Sequence, residues 1–195
     1  MQLRKSLPCS YVVAALLSAA ILSGQTTQAR REPDVPYVPT TEDAVQAMLK
    51  LADVKKTDVV YDLGCGDGRI AIAAVKNFGA RGVGIDINPV RMKEAKENAR
   101  KAGVENIVRF EENDLFLADI HEASVVTLFL LPAINLKLRP KLLQDLKPGT
   151  RVVSNTFDMG DWKPVKEMNV DNAGDPDAYL SRKLYLWIVP PRGGK

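Results

Sequence analysis

The chain is poor in the residues that build metal centres and covalent staples: its 195 residues include two cysteines, Cys9 and Cys65, and one histidine, His121. A structural zinc site takes four nitrogen or sulfur ligands, so these three side chains exclude one, and no metal is expected in the site. A disulfide scaffold is excluded for the same reason. Aromatic residues make up only 6%, while 46% of the chain is apolar and 26% charged. Those values lie near the globular average and exclude a collagen-like or wholly disordered chain. No repeat, low-complexity block or Gly/Ser-rich linker interrupts the stretch from Glu32 to Lys195, so one domain is expected there.

Acidic residues are missing altogether from Met1 to Arg31. There Arg4 and Lys5 precede an apolar run from Tyr11 to Leu22, and a small polar stretch ends in Thr27-Gln28-Ala29. This is the layout of a secretory signal, with cleavage after Ala29, and the run is shorter than the roughly 20 residues of a bilayer span. An uncleaved anchor is the second reading and a buried helix the third. The expectation is a signal or anchor over residues 1–29, a domain over 30–195, and a chain exported or held at a membrane. Arg4 and Lys5 are the only basic residues before Arg30, so 25 of the 27 basic residues face all 24 acidic ones in the rest, a net of +1. A nearly neutral domain lacks the basic footprint of nucleic-acid binding, and no such partner is favoured. Cleavage would also remove Cys9 and leave Cys65 without an intramolecular partner.

Within the domain the hydrophobic period alternates between helix and strand. Thr40 and Thr41 can cap a helix with Glu42 and Asp43 in its first turn and Val45, Met48, Leu49 and Ala52 on one face. Val59 to Leu63 reads as a buried strand, and the apolar stretch Ile70 to Phe78, stopped by Gly79, as a helix. Gly82 to Asp86 is the second strand. A helix follows with Asn88 as cap, Pro89 first, Met92, Ala95, Ala99 and Ala102 on a stripe, and Gly103 at the end. Ile107 to Phe110 is a third strand, Val125 to Leu131 a fourth without a wet face, and Arg151 to Asn155 a fifth. Between the last two, Ile134 to Leu146 reads as a helix that Pro140 should kink or split. Helices between strands predict an open parallel sheet covered on both faces, and Val165–Val170 with Leu184–Val189 predict an antiparallel hairpin at its edge.

The segment with chemical content is Asp62-Leu63-Gly64-Cys65-Gly66-Asp67-Gly68-Arg69, at the carboxyl end of the first strand, where such sheets bind ligands. Glycines at 64, 66 and 68 permit positive φ and let a ligand lie on bare main chain. Asp86, 18 residues past Gly68 at the tip of the next strand, suits two ribose hydroxyls. The spacing is Gly-x-Gly-x-Gly, and Asp62 stands at the base of the loop. A carboxylate beside a pyrophosphate is repelled by about 1 to 4 kcal/mol at surface-like dielectric constants. Beside the ammonium of a methionine moiety the sign reverses, which favours S-adenosylmethionine over NAD.

With these residues the chain resembles the class I S-adenosylmethionine-dependent methyltransferases over about Thr40 to Val189. The resemblance implies a Rossmann-like α/β fold, a doubly wound, mostly parallel seven-stranded sheet with an antiparallel C-terminal hairpin. It implies that Asp62, Gly64, Cys65, Gly66 and Gly68 contact the methionine end, Asp86 the ribose, and Asn113 and Asp114 the adenine. Cys65 is expected to pack beneath the ligand and His121 to be a solvated loop residue. Leu130-Leu131-Pro132-Ala133 stands where methylases of adenine or glutamine amides usually carry Asn/Asp-Pro-Pro-aromatic, so those targets lose ground.

The flanking Pro36-Tyr37-Val38-Pro39-Thr40, Leu131-Pro132, and Phe157 with Trp162 and Pro164 are similar to a small family of membrane-associated protein-lysine methyltransferases. Its mitochondrial members modify the adenine nucleotide translocase and the ATP synthase c subunit, and it has bacterial relatives. This resemblance implies an amine acceptor, with a membrane-protein lysine as the class its members modify, and Tyr37, Asp158 and Trp162 as candidates for orienting the amine. The stretch Asn155 to Trp162 is longer and more acidic than in the mitochondrial members. Two other readings stay open: an exported protein that binds the nucleoside without turnover, and an NAD-linked oxidoreductase.

Overall fold

The computed structural model describes residues 36–170 and 183–193; the expected leader, its cleavage point and Cys9 lie outside the described residues. Five parallel strands form one side of the sheet, with β3 at its edge: β1 (Val59–Leu63), β2 (Arg81–Asp86), β3 (Val108–Glu112), β4 (Val125–Leu128) and β5 (Arg151–Asn155). β6 (Lys166–Asn169) and β7 (Lys183–Ile188) complete it in the order β3-β2-β1-β4-β5-β7-β6, with β7 antiparallel to both neighbours. The strand order reverses between β1, which pairs with β2, and its other neighbour β4, which leads on to β5. Such a switch point opens a crevice at the carboxyl ends of the strands.

Among the described residues four helices flank the sheet: α1 (Glu42–Leu51), α2 (Arg69–Phe78), α3 (Pro89–Ala102) and α4 (Pro132–Asp145). Thr41 accepts the amide of Ala44 at the start of α1. Asn88 caps α3 ahead of Pro89, and Gly103 ends it in the left-handed conformation. Alternation along the strands divides the core. Val60, Val125 and Val153 pack under α1 and α2, while Tyr61, Leu63, Val126 and Leu128 pack with Leu138 and Leu142 of α4 and with Ala118 and Ile120. Gly84 has no room for a side chain: a Cβ there would stand 2.7 Å from Cys65 Sγ and 2.6 Å from Phe110.

Three expectations are corrected. α4 runs unbroken through Pro140, because that residue faces solvent and water can take up the Leu136 carbonyl that loses its amide partner. The link between β3 and β4 contains no helix; its apolar residues Ala118 and Ile120 cover the sheet directly. β4 ends at Leu128, three residues earlier than its apolar run suggests, and Phe129 and Leu130 leave the sheet to line the crevice.

At the opposite, amino ends of the strands, Asp58 ties three of them together. Its carboxylate accepts the Lys55 amide at 2.7 Å and Ser124 Oγ at 2.7 Å, and pairs with Arg151, which also donates to the carbonyls of Ala52 (2.8 Å) and Asp53 (3.0 Å). Ser124 enters β4 and Arg151 opens β5. Replacing Asp58 with Ala leaves these donors unpaired and should lower unfolding stability by about 2 to 4 kcal/mol, measured in urea. A loss under about 1 kcal/mol would show that the three strand entries hold without it.

Candidate active site

The glycine loop is folded over the tip of β2. The amides of Gly64 and Cys65 both donate to the Ile85 carbonyl, at 2.8 and 3.0 Å, and the Gly66 amide donates to the Asp86 carboxylate at 2.9 Å. Gly64 and Gly66 hold φ of 81° and 52°, left-handed values that a side chain disfavours. The other oxygen of Asp86 accepts the Asn88 amide at 2.9 Å. One carboxylate thus joins the loop to the start of α3. It still has lone pairs for a ligand, since an ionised carboxylate offers about four acceptor sites.

Above the loop lies a cavity of about 310 Å³, within the range of small-molecule sites. Of the residues expected to meet a cofactor, Asp62, Gly64, Cys65, Asp86 and Asp114 line it, as does Tyr37. Gly66, Gly68, Asn113, Asp158 and Trp162 are not among its lining residues. Gly66 is covered by Tyr37, whose Cε2 would lie 2.3 Å from a Cβ at that position. Gly68 caps α2 under Phe110, and Asn113 donates its amide to the Asp86 carbonyl at 3.0 Å. Trp162 packs on Trp187 of β7, ring centroids 5.9 Å apart, and its carbonyl accepts the Trp187 indole at 2.6 Å, so it covers the core on one face of the sheet.

Asp62 is 3% exposed and has Thr127 Oγ1 as hydrogen-bond donor at 2.8 Å. Burial pushes its pKa up to about 7; the Thr127 bond opposes the rise, and the charges of Asp67 and Asp86 add to it. No cation is paired with this carboxyl in the described salt bridges. Burial also raises the Cys65 thiol, with Asp62 and Asp86 adding to the shift, which keeps it an inert packing group.

Two lining residues that spacing arguments missed are Asp67 and Arg69. Arg69 grips Asp67 with Nε and a terminal nitrogen, and its other nitrogen donates to the Thr40 carbonyl at 2.8 Å. Although burial alone would raise it, this guanidinium holds Asp67 below the usual carboxylate range. The signal lay in the sequence as an acid and a base two residues apart within the loop. Asp67 is also the hydrogen-bond partner of the Tyr37 phenol, whose pKa is raised by burial and then by the Asp67 charge. Arg91 stands 4.4 Å from the centroid of the same ring. Tyr37 therefore stays protonated at neutral pH, and its ring is engaged by Gly66 and Arg91. It straps the segment before α1 across the loop.

The far wall of the cavity is apolar: Phe129, Leu130 and Ile134 follow β4, and Leu115 follows β3. Next to Ile134, the wholly buried amide of Asn135 donates to Ser154 Oγ and to the carbonyls of Phe157 and Asp158, at 3.2 to 3.3 Å. Arg139 donates to the Met159 carbonyl at 2.8 Å and pairs with Asp161. The segment after β5 is thereby fastened to α4. Thr156, where that segment leaves the sheet, has φ of 70°, a strained value for a β-branched residue.

Residues 62–166 match the ANTKMT methyltransferase domain family. A protein-lysine N-methyltransferase of Saccharolobus islandicus is 46% identical over 158 residues, 80% of this chain and 95% of that protein. The adenine nucleotide translocase lysine N-methyltransferase of Mus musculus is 34% identical over 139 residues, 70% of this chain, and the match spans 60% of that longer protein. Among solved structures, a Salinibacter ruber protein described as an RNA methyltransferase, crystallised with S-adenosyl-L-homocysteine, is 52% identical. It has a TM-score of 0.72 and covers 81% of this chain, matched over 97% of its own. A loop that bends bare main chain over the tip of β2, a buried carboxyl with no counter-ion among the described residues, and these likenesses agree: the chain belongs to the ANTKMT methyltransferase domain family and is an S-adenosylmethionine-dependent methyltransferase.

Proposed function

We propose that the methyl acceptor is the side-chain amine of a protein lysine and that Asp62, Gly64, Cys65, Asp86 and Asp114 hold the cofactor. S-adenosylmethionine, when bound, supplies a methyl carbon already activated by a sulfonium, so the protein has chiefly to position the partners and deliver a neutral nucleophile. The observation that carries the reading is the division of the cavity. Three carboxylates, Asp62, Asp67 and Asp86, lie along the loop side, and Phe129, Leu130 and Ile134 form the other wall.

Asp67 is already neutralised by Arg69, which leaves the buried Asp62 in want of a cation. An α-ammonium fits that need, whereas a phosphate would meet repulsion. On the apolar side an entering ammonium loses solvation, which favours its neutral form and releases the proton to water before attack. The likeness to the Saccharolobus lysine methyltransferase supports the same acceptor. The 52% identity to the Salinibacter protein favours a second reading, an RNA acceptor. The net charge of +1 over residues 30–195 weighs against it.

Incubating the full chain with methyl-tritiated S-adenosylmethionine and a cell protein extract should place label in methyl-lysine after acid hydrolysis. Label confined to RNA would sink the lysine assignment. A second outcome follows from Asp62. Pairing with an ammonium favours its carboxylate, so cofactor affinity should fall as pH drops below about 7, by up to tenfold per unit. In the unliganded fold the raised pKa works the other way: its stabilising effect is complete below the unfolded value near 4 and is lost as pH rises through about 7. Asp62→Asn should therefore raise unliganded stability at pH 8 by about 1 to 3 kcal/mol while weakening cofactor binding at least about tenfold. A variant that binds the cofactor normally in calorimetry would remove Asp62 from its site.

A further inference from the structure

Large exposed apolar side chains are not scattered over this protein. Of the eight among the described residues, Tyr37 lines the cavity and Val90, Leu117, Leu131 and Leu136 each lie within two residues in the chain of one that does, Arg91, Leu115, Leu130 and Ile134. Leu117 is 77% exposed, Leu136 45% and Leu131 41%. α4 is apolar on its solvent side as well as its buried side, since Pro132, Ala133, Leu136 and Pro140 all face outward. A surface helix ordinarily turns polar residues to water. Lys137, over the Phe116 ring at 4.4 Å, joins this face to the segment after β3 that carries Leu117. Leu130 and Ile134, close in the chain to Leu131 and Leu136, line the cavity wall.

Its charge is as informative as its apolarity. From Phe129 to Gln144 there is no acidic residue, and Leu115 to Leu117 adds none. Of the cations on α4, Arg139 is taken up by Asp161 and the Met159 carbonyl, and Lys141 by Asp145 at 2.6 Å. The carboxylates that meet α4, Asp145 and Asp161, are already paired with its own cations, so a basic peptide gains little here, and RNA would find no row of free cations. The occupant must also be the acceptor chain itself. A lysine has a four-carbon stem, so the backbone that bears it has to rest on the mouth for the amine to enter.

We infer that this apolar face receives the acceptor protein, and that the lysine it methylates lies in an apolar segment, the flanking Leu- or Ala-like side chains resting on Leu117, Leu131 and Leu136. The inference depends on the lysine assignment above and narrows it to a sequence class. Contiguous apolar surface beside a site is the usual mark of an apolar partner.

The test uses the full chain, tritiated S-adenosylmethionine and two lysine peptides of equal length, one with Leu and Ala flanks and one with Arg and Gly flanks. The apolar peptide should be favoured in kcat/KM by about tenfold, equivalent to about 1.4 kcal/mol. Leu136→Glu and Leu117→Glu, both exposed positions outside the cavity, should each raise its KM about fivefold or more, with kcat and cofactor affinity unchanged. Equal use of the two peptides, or preference for the basic one, would overturn the inference while the lysine assignment stands. Label in an RNA oligonucleotide and in neither peptide would overturn both. If the Glu variants weaken pelleting with phosphatidylglycerol vesicles but leave the peptide preference intact, the face belongs to a lipid surface and the inference also fails.

Discussion

Everything at the ligand end of this protein depends on how the chain leaves β1. The Ile85 carbonyl takes two amides from the loop and the Asp86 carboxylate takes a third, which bends Gly64-Cys65-Gly66 back across the tip of β2. That bend needs left-handed backbone at two closely spaced positions, and glycine reaches it without steric cost. Once it forms, α2 starts at Arg69 and α3 starts just past Asp86, after the Asn88 cap. Both helices begin at the crevice where β1 and β4 part. The loop, the two helix starts and the cavity are thus one construction fastened by three hydrogen bonds.

The same construction concentrates negative charge. Asp62, Asp67 and Asp86 face one small cavity, and they are handled differently. Asp67 is clasped by Arg69 and the Tyr37 phenol, Asp86 is tied to backbone amides, and Asp62 is left buried with one hydroxyl donor. Two are satisfied within the fold, and among the described residues the third has no cation beside it. Burial holds the Asp62 carboxyl up at about 7, which costs the unliganded fold stability as pH rises through that value. At the other end of the sheet Asp58 is partnered by Lys55, Ser124 and Arg151.

The apolar side of the cavity is organised around α4. Its buried face contributes Leu138 and Leu142 to the core, and Asn135 and Arg139 fix the carbonyls that follow β5. Its exposed face is unusually apolar and lies beside the cavity wall. Sheet packing, the fastening of the segment after β5 and the surface next to the mouth therefore share one helix, and strain at Thr156 sits where that segment begins.

Much of this was open to reading in the residues alone. Hydrophobic period, caps at Thr41 and Asn88 and stops at Gly79 and Gly103 are local properties, and they placed most elements within a few residues of where they fold. The glycine spacing with Asp62 and Asp86 likewise marked the loop that lines the cavity, since bare main chain and paired acids have few other uses at strand ends. Tertiary structure decided the rest. Whether Pro140 breaks α4 turned on which side of the helix met water, and the end of β4 on where its neighbours stopped. The places of Gly66, Tyr37, Asp158 and Trp162 depended on contacts between segments far apart in the chain. Local pattern records what each residue prefers; only the packed fold determines which surfaces meet, because burial and pairing depend on neighbours that the chain order does not reveal.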